Sequence, residues 1–129
     1  MAKIAERALG PGEPSLEALE VLLANSFDSI LITDATRSGN IIYANAAFRR
    51  LTGYAASEVI GQTPRILQGP ATDSEVISRL SAALRAGAKF EGRAINYKKD
   101  GTPFIMHWRV VPIRISGVLK AWMAIQRSD

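Results

Sequence analysis

The last third of the chain constrains the fold most, because it reads as three alternating runs separated by tight-turn signals. Phe90 to Lys98, Thr102 to Ile115 and Val118 to Gln126 are rich in β-branched and aromatic residues and read as strands. Asp100-Gly101 and Ser116-Gly117 lie between them, and both suit the turns that join antiparallel strands. Strands joined this way send alternate side chains to opposite faces. With Asn96 inward, Phe90, Gly92 and Ala94 share its face. With Gln126 inward, so do Trp122 and Ala124, and Met106, Trp108 and Val110 form the matching set on the middle strand. The small Gly92, Ala94 and Ala124 leave room for a flat body. The aromatic, apolar and amide groups around them suit a cofactor pocket with a few placed polar groups. The same residues can instead pack on helices without a ligand, the amides then needing backbone partners. The other face is also apolar, through Val111, Met123 and Ile125, with Ile30 and Ile32 as candidates to join it, so something covers it.

Upstream of the strands the pattern is mixed. Gly10-Pro11-Gly12-Glu13-Pro14 cannot continue a helix, and residues 1–14 read as a flexible segment. Ser15 is a good N-cap, and Leu16, Leu19, Leu22 and Leu23 recur at helical spacing, which predicts an amphipathic flanking helix within 15–27. That helix must bury its leucines on the core domain or on a second copy. Ser29–Asp34 and Ile41–Ala44 read as strands around the turn Arg37-Ser38-Gly39-Asn40. Asn45 caps a short helix from Ala46 to Thr52 that Gly53 ends, and Ser57-Glu58-Val59-Ile60 suggests another helical turn. Thr72 and Glu75 have capping-box spacing before a longer helix, whose stripe is Val76, Ile77, Leu80, Ala83 and Leu84 and whose stop is Gly87. The order β-β-α-α-α-β-β-β fits the α+β class, an antiparallel sheet cupping short helices.

The totals exclude several functions. At 129 residues the chain is one domain, and no apolar run approaches the ~20 residues of a membrane span. No secretory signal is visible at the N-terminus. There is no Cys, which removes disulfides, thiolate metal sites and Cys nucleophiles and is compatible with a cytoplasmic location. The +4 charge is spread without a basic run, so no nucleic-acid partner is expected. His107 is the only His and points away from the inward face. No nucleophile–base set, carboxylate pair, phosphate loop, metal cluster or haem ligand is visible, so an enzyme is not expected.

One stretch carries a family resemblance: Gly61-Gln62-Thr63-Pro64-Arg65-Ile66-Leu67-Gln68-Gly69-Pro70, followed by Ala71-Thr72-Asp73. With the run from Ile32-Thr33-Asp34 through Tyr43-Ala44-Asn45 to Thr52-Gly53-Tyr54, it resembles PAS sensor domains. Within them it looks like the light–oxygen–voltage (LOV) branch, whose motif reads roughly G-x-N-C-R-F-L-Q-G-P-x-T-D. The resemblance spans 28–129, the expected sensor domain. It implies a five-stranded antiparallel PAS sheet with short helices on one face and an N-terminal flanking helix.

The family binds flavin through amides on the ring and arginines on the phosphate. By that resemblance Asn96 is a ring-binding amide, Gln126 the glutamine near the flavin N5, Arg65 a phosphate ligand and Gln68 the motif glutamine. Thr33, Asn40 and Leu67 fall on ring- or tail-contact positions, and Leu84, Trp108 and Trp122 complete the expected lining. Other positions depart from the family. Pro64 stands for the Cys that adds to the flavin, Thr63 for its neighbouring Asn, Met106 for the second ring Asn, Ala124 for a Gly, and Ser81 for a second phosphate Arg. Arg85, one helical turn from Ser81, can reach a phosphate instead, or with Arg79 lie on the solvated surface. Without the thiol no cysteinyl adduct forms. Losing one ring amide costs about 0.5–1.5 kcal/mol, and an uncompensated phosphate contact about 1.5–3 kcal/mol. The expectation is a signalling sensor module that binds FMN non-covalently and reads redox state or light, with FAD or no cofactor as alternatives. The rival is a PAS domain without flavin that binds another small molecule or dimerises. A homodimer through the flanking helix and outer sheet face, and a fused output domain, are also expected.

Overall fold

The computed structural model describes residues 16–129, so the expected flexible segment 1–14 and the Ser15 cap lie outside the described residues. Five antiparallel strands form one sheet: β1 Ser29–Asp34, β2 Ile41–Ala44, β3 Phe90–Tyr97, β4 Pro103–Ile115 and β5 Val118–Ser128. Their spatial order is β2-β1-β5-β4-β3, so the last strand lies at the centre beside the first. Two turn chemistries set the ends. Ser116 and Gly117 both take positive φ, 52° and 79°, and Ile115 pairs directly with Val118, the geometry of a two-residue hairpin loop. Lys98 leaves β3 for its turn, its N–H donating to the Thr102 carbonyl at 2.9 Å. The last strand runs beyond the expected Gln126, because Arg127 and Ser128 still pair with His107 and Met106.

Among the described residues the other elements are four helices and one 3-10 turn: α1 Leu16–Ala24, α2 Ala46–Thr52, α3 Ala56–Val59, the turn Pro64–Leu67, and α4 Ser74–Arg85. The expected caps of α2 are present. The Asn45 side chain accepts from the Phe48 N–H at 3.0 Å, and Gly53 at φ 82° donates to the Arg49 carbonyl at 2.8 Å. The expected capping box of α4 is not. Asp73 is the N-cap, accepting from the Glu75 N–H at 2.9 Å. Thr72 is diverted: its hydroxyl donates to the Ile95 carbonyl at 2.7 Å and accepts from the Gly69 N–H at 3.0 Å. It anchors the preceding loop to β3 instead of capping the helix.

Alternation sorts the sheet as expected. Phe90, Ala94, Asn96, Met106, Trp108, Val110, Trp122 and Gln126 are buried on the inner face, and Ala124 is half-buried. Leu31, Ile41, Phe48, Val59 and Leu67 close the core from the other elements. Burial of side chains of this size stabilises by about 1.5–3 kcal/mol each. The room expected at Gly92 is not there: a Cβ on it would come within 2.6 Å of the Phe90 ring and 3.4 Å of Val76. Phe90 also packs on Trp108, ring centroids 5.3 Å apart. On the outer face Ile30 is buried, whereas Ile32, Val111, Met123 and Ile125 are half-buried. The leucine stripe of α1 is only partly buried. Leu19 and Leu23 are half-buried, but Leu22 is 62% exposed and Val21 59%.

Candidate functional site

A cleft of about 450 Å³ opens between the β1–β2 loop, the 3-10 turn, α4 and the start of β5. This volume lies within the range of small-molecule sites. The 3-10 turn presents Thr63, Pro64, Arg65 and Gln68. Pro64 is the first residue of that turn, where a missing N–H costs nothing. The turn is held in place from both sides. Upstream, the Gly61 N–H donates to the Ile41 carbonyl at 2.9 Å and the Ile41 N–H to the Gln62 carbonyl at 2.7 Å. Downstream, Thr72 grips β3 and the Ala71 N–H donates to the Tyr97 hydroxyl at 2.9 Å.

The opposite wall is α4, contributing Ile77, Leu80, Ser81, Leu84 and Arg85, and the floor includes Thr33 and Trp122. Leu119 joins them through a register shift between Ile113 and Arg114, which pairs Arg114 with Leu119 and leaves Lys120 without a partner in the ladder. The third wall is the β1–β2 loop, from Asp34 to Gly39. Asp34 builds that loop, accepting from the Thr36 hydroxyl at 2.5 Å and from the Thr36 and Asn40 N–H groups at 3.2 and 3.0 Å. The Thr36 hydroxyl bond is the largest influence holding the Asp34 carboxyl below its ordinary range.

Three arginines, Arg37, Arg65 and Arg85, therefore line one cleft against the single carboxylate of Asp34. Each comes from a different element, and none forms an ion pair with a carboxylate among the described residues. Such a donor set, with Thr and Ser hydroxyls and an apolar wall, suits a ligand that joins an anionic group to an apolar body.

Of the residues singled out in the sequence, Thr33, Thr63, Pro64, Arg65, Gln68, Leu84 and Trp122 line this cleft. Arg85 and Ser81 do too. Asn40, Leu67, Asn96, Met106, Trp108, Ala124 and Gln126 do not. Asn40 closes the loop on Asp34. Leu67, Met106 and Trp108 are packed in the core. Asn96 is buried, its Nδ2 donating to the Ala94 carbonyl at a long 3.4 Å. Gln126 is buried with its Oε1 accepting from the Ser29 hydroxyl at 3.0 Å. Among the described residues every fully buried side-chain polar atom has a partner. Any fit to a flavin thus rests on the cleft's arginines, hydroxyls and apolar wall, and not on the inner amides, each of which has a partner within the fold. Arg37, Ile77, Leu80 and Leu119 also line the cleft and are not among the residues expected there from the sequence. The helical stripe contained Ile77 and Leu80, but Arg37 and Leu119 depend on a loop path and a strand irregularity that no local pattern signals.

Comparison with known proteins is consistent with this geometry. A family profile described as PAS domain matches residues 28–127. Phototropin-2 of Oryza sativa subsp. japonica is 40% identical over 99 residues, which cover 76% of this chain and 11% of that protein. A blue-light-activated histidine kinase of Brucella anthropi is 43% identical over 86 residues, covering 66% of this chain and 18% of the kinase. The chain thus spans less than a fifth of either relative's length. Among solved structures, the LOV domain from the Erythrobacter litoralis EL346 blue-light activated histidine kinase aligns with a TM-score of 0.75 at 33% identity, over 78% of this chain and 94% of that one. An RNA-binding light–oxygen–voltage receptor aligns with a TM-score of 0.81 at 29% identity, over 87% of this chain and 32% of that one.

Proposed function

The chain belongs to the PAS domain family, in its LOV-like branch, and from that premise we propose that it is a flavin-binding sensor module that works without a cysteinyl adduct. The observation that carries the proposal is the cleft on which Arg65, Gln68 and Arg85 converge with an apolar wall of Leu80, Leu84 and Trp122. A flavin bound there supplies blue-light absorption and reversible redox chemistry. Arg65 and Arg85 hold its phosphate, with FMN the first choice and FAD the second. Gln68 would orient the ring by its amide, and the apolar wall would exclude water. Pro64 offers no nucleophile, so the signal is a change of redox or light state without a covalent bond to the protein.

Gln126 reads that state. Its amide presents an acceptor to Ser29 in one orientation and a donor in the other. Reorientation reverses the bond with Ser29, and β5 carries the change to α1, a bistable hydrogen bond of the kind that serves as a switch. Gln126→Leu should retain ligand while losing any state-dependent change in structure. Persistence of that change in solution scattering or circular dichroism would refute the mechanism.

The direct experiment is an absorption spectrum of the purified protein before and after incubation with FMN or FAD and desalting. Retained flavin bands at about one per chain are expected. Arg65→Ala should then weaken binding roughly 10- to 150-fold, the equivalent of about 1.5–3 kcal/mol for a charge-assisted contact. Protein that stays colourless with both flavins rejects the proposal.

A second reading is favoured by one observation. The Phe90 ring fills the space over Gly92, and the inner amides already have partners. On that reading the cleft takes a different small molecule, or the domain serves only to dimerise, and the spectrum separates the two. We also propose that the chain is a cytoplasmic, non-catalytic part of a larger signalling protein. Its homodimer interface would combine α1 with the outer face of Ile32, Val111, Met123 and Ile125, to be checked by concentration-dependent light scattering.

A further inference from the structure

We propose that Asn45 is the residue that fixes α1 to the sensor core, and that its side-chain amide sets how often the helix comes away as a unit. The side chain is 4% exposed and uses every hydrogen-bonding position it has. Its Oδ1 accepts from the Ile30 N–H at 2.9 Å and the Phe48 N–H at 3.0 Å. Its Nδ2 donates to the Leu23 carbonyl at 2.9 Å and the Asp28 carbonyl at 3.1 Å. One residue therefore caps α2, ties it to β1, and reaches back across 22 positions to the last turn of α1.

The division of labour within the amide matters. The acceptor oxygen serves only the core, and any residue with an N-capping oxygen can replace it. The donor nitrogen serves only α1 and the segment after it. The Leu23 carbonyl lies in the last turn, where helical carbonyls have no intrahelical partner; besides Asn45 it accepts from the Ser26 N–H at a longer 3.3 Å. The rest of the helix is weakly held on its outward side, with Val21 and Leu22 largely exposed and Phe27, just beyond it, 99% exposed. A helix of nine residues is shorter than the roughly 12–15 that persist alone in water, so its order depends on docking. The ion pair of Arg127 with Asp28 at 2.9 Å also ties the segment after α1, but its members are substantially exposed and such pairs contribute little.

The position of Asn45 makes this a device and not only a brace. Ile30, which Asn45 holds by its N–H, follows Ser29, which bonds Gln126. A displacement at the start of β1 is felt at the side chain that retains α1. The coupling depends only on these hydrogen bonds and stands whatever the cleft binds.

The test uses two substitutions that keep a capping oxygen and remove the amide Nδ2 that reaches Leu23 and Asp28. Asn45→Ser retains an oxygen for the Phe48 N–H, and Asn45→Asp turns a carboxylate oxygen toward the two carbonyls. Backbone amide hydrogen exchange in the whole chain is the readout. Exchange over residues 20–25 should accelerate about tenfold or more in both variants, while β4 and β5 amides change less than about twofold. Unchanged exchange in α1 overturns the proposal, as does acceleration spread equally over the core. The unaltered protein supplies an independent check that needs no variant to fold. The Nδ2 protons of Asn45 should exchange with solvent far more slowly than the Nε2 protons of exposed Gln62, and equal rates overturn it too.

Discussion

At the scale of single residues, Pro64 decides which chemistry is open to the cleft. It lines that cleft from the first position of the 3-10 turn, where proline's fixed φ and missing N–H are tolerated. No backbone bond depends on the proline ring, so Pro64→Cys changes reactivity more than fold, with a stability change within about 1 kcal/mol. With flavin loaded, that variant should show a light-induced bleaching that recovers in the dark without any added electron donor, whereas the parent protein, which can only photoreduce, should need one. Equal responses from both would mean that residue 64 does not face the bound ring. This part of the site could be read directly from the sequence, because Thr63, Pro64, Arg65 and Gln68 lie in one short turn and travel together. Arg37 could not, because its place in the cleft follows from the Asp34 hydrogen bonds that shape a loop. Leu119 could not either, because a strand irregularity sets its face. Gln126 was read to the correct face by alternation, but its partner Ser29 lies 97 positions away and belongs to the tertiary fold.

At the scale of elements, boundaries followed local chemistry wherever the cap was the only candidate. Asn45 and Gly53 bracket α2 as their types demand, and Gly101 and Gly117 supply the positive φ of their turns. The cap of α4 went to Asp73 because Thr72 had a stronger claim on it from β3, a competition invisible along the chain. The flanking helix shows the limit of periodicity most plainly. A leucine stripe states that a face wants burial but not what will bury it, and Leu22 stays exposed. Where α1 lies is reported by Tyr43 on β2. Burial first, and then the negative charge of Glu20 on α1, push the Tyr43 phenol above its ordinary value of 10.0. Glu20→Gln should lower that pKa part of the way back, since burial remains, as followed by ultraviolet titration of the phenol. No movement would place Glu20 too far away to act. The sign for stability follows. A raised pKa favours the neutral phenol in the fold, so the fold keeps its full stability below pH 10 and loses some as pH rises through the elevated value.

At the scale of the whole molecule, the surface charges act together at the other end of the pH range. Four carboxyls are held below their ordinary values, 3.8 for Asp and 4.5 for Glu. In each the leading cause is a side-chain hydrogen bond: Thr36 for Asp34, Lys99 for Glu58, His107 for Glu91 and Thr102 for Asp100. These groups do different structural work. Asp34 shapes the cleft loop, Glu58 bridges α3 to the turn after β3, Glu91 pairs β3 with β4, and Asp100 sets the hairpin. A depressed pKa means that the folded state prefers the charged form. Each group therefore contributes stability that is present above about pH 4.5 and lost as pH falls through its lowered folded value. Glu58, Glu91 and Asp100 are solvent-exposed and Asp34 is only half-buried, so the individual contributions are small and the decline is gradual. The thermal unfolding midpoint should be level between pH 7 and 5 and fall steadily below about 4.5. Added salt should blunt the parts due to the Lys99 and His107 pairs more than the parts due to the hydroxyl and N–H bonds of Asp34 and Asp100. A midpoint that held constant down to pH 3 would show that these contacts do not persist in solution. Because Asp34 is the carboxylate among the three cleft arginines, its protonation also leaves the cleft more cationic. Affinity for a ligand phosphate that stays singly charged should thus hold up as pH falls below about 4, where stability declines. Asp34 enters both quantities with opposite sign, since its protonation weakens the loop that shapes the cleft and removes the one negative charge facing the arginines.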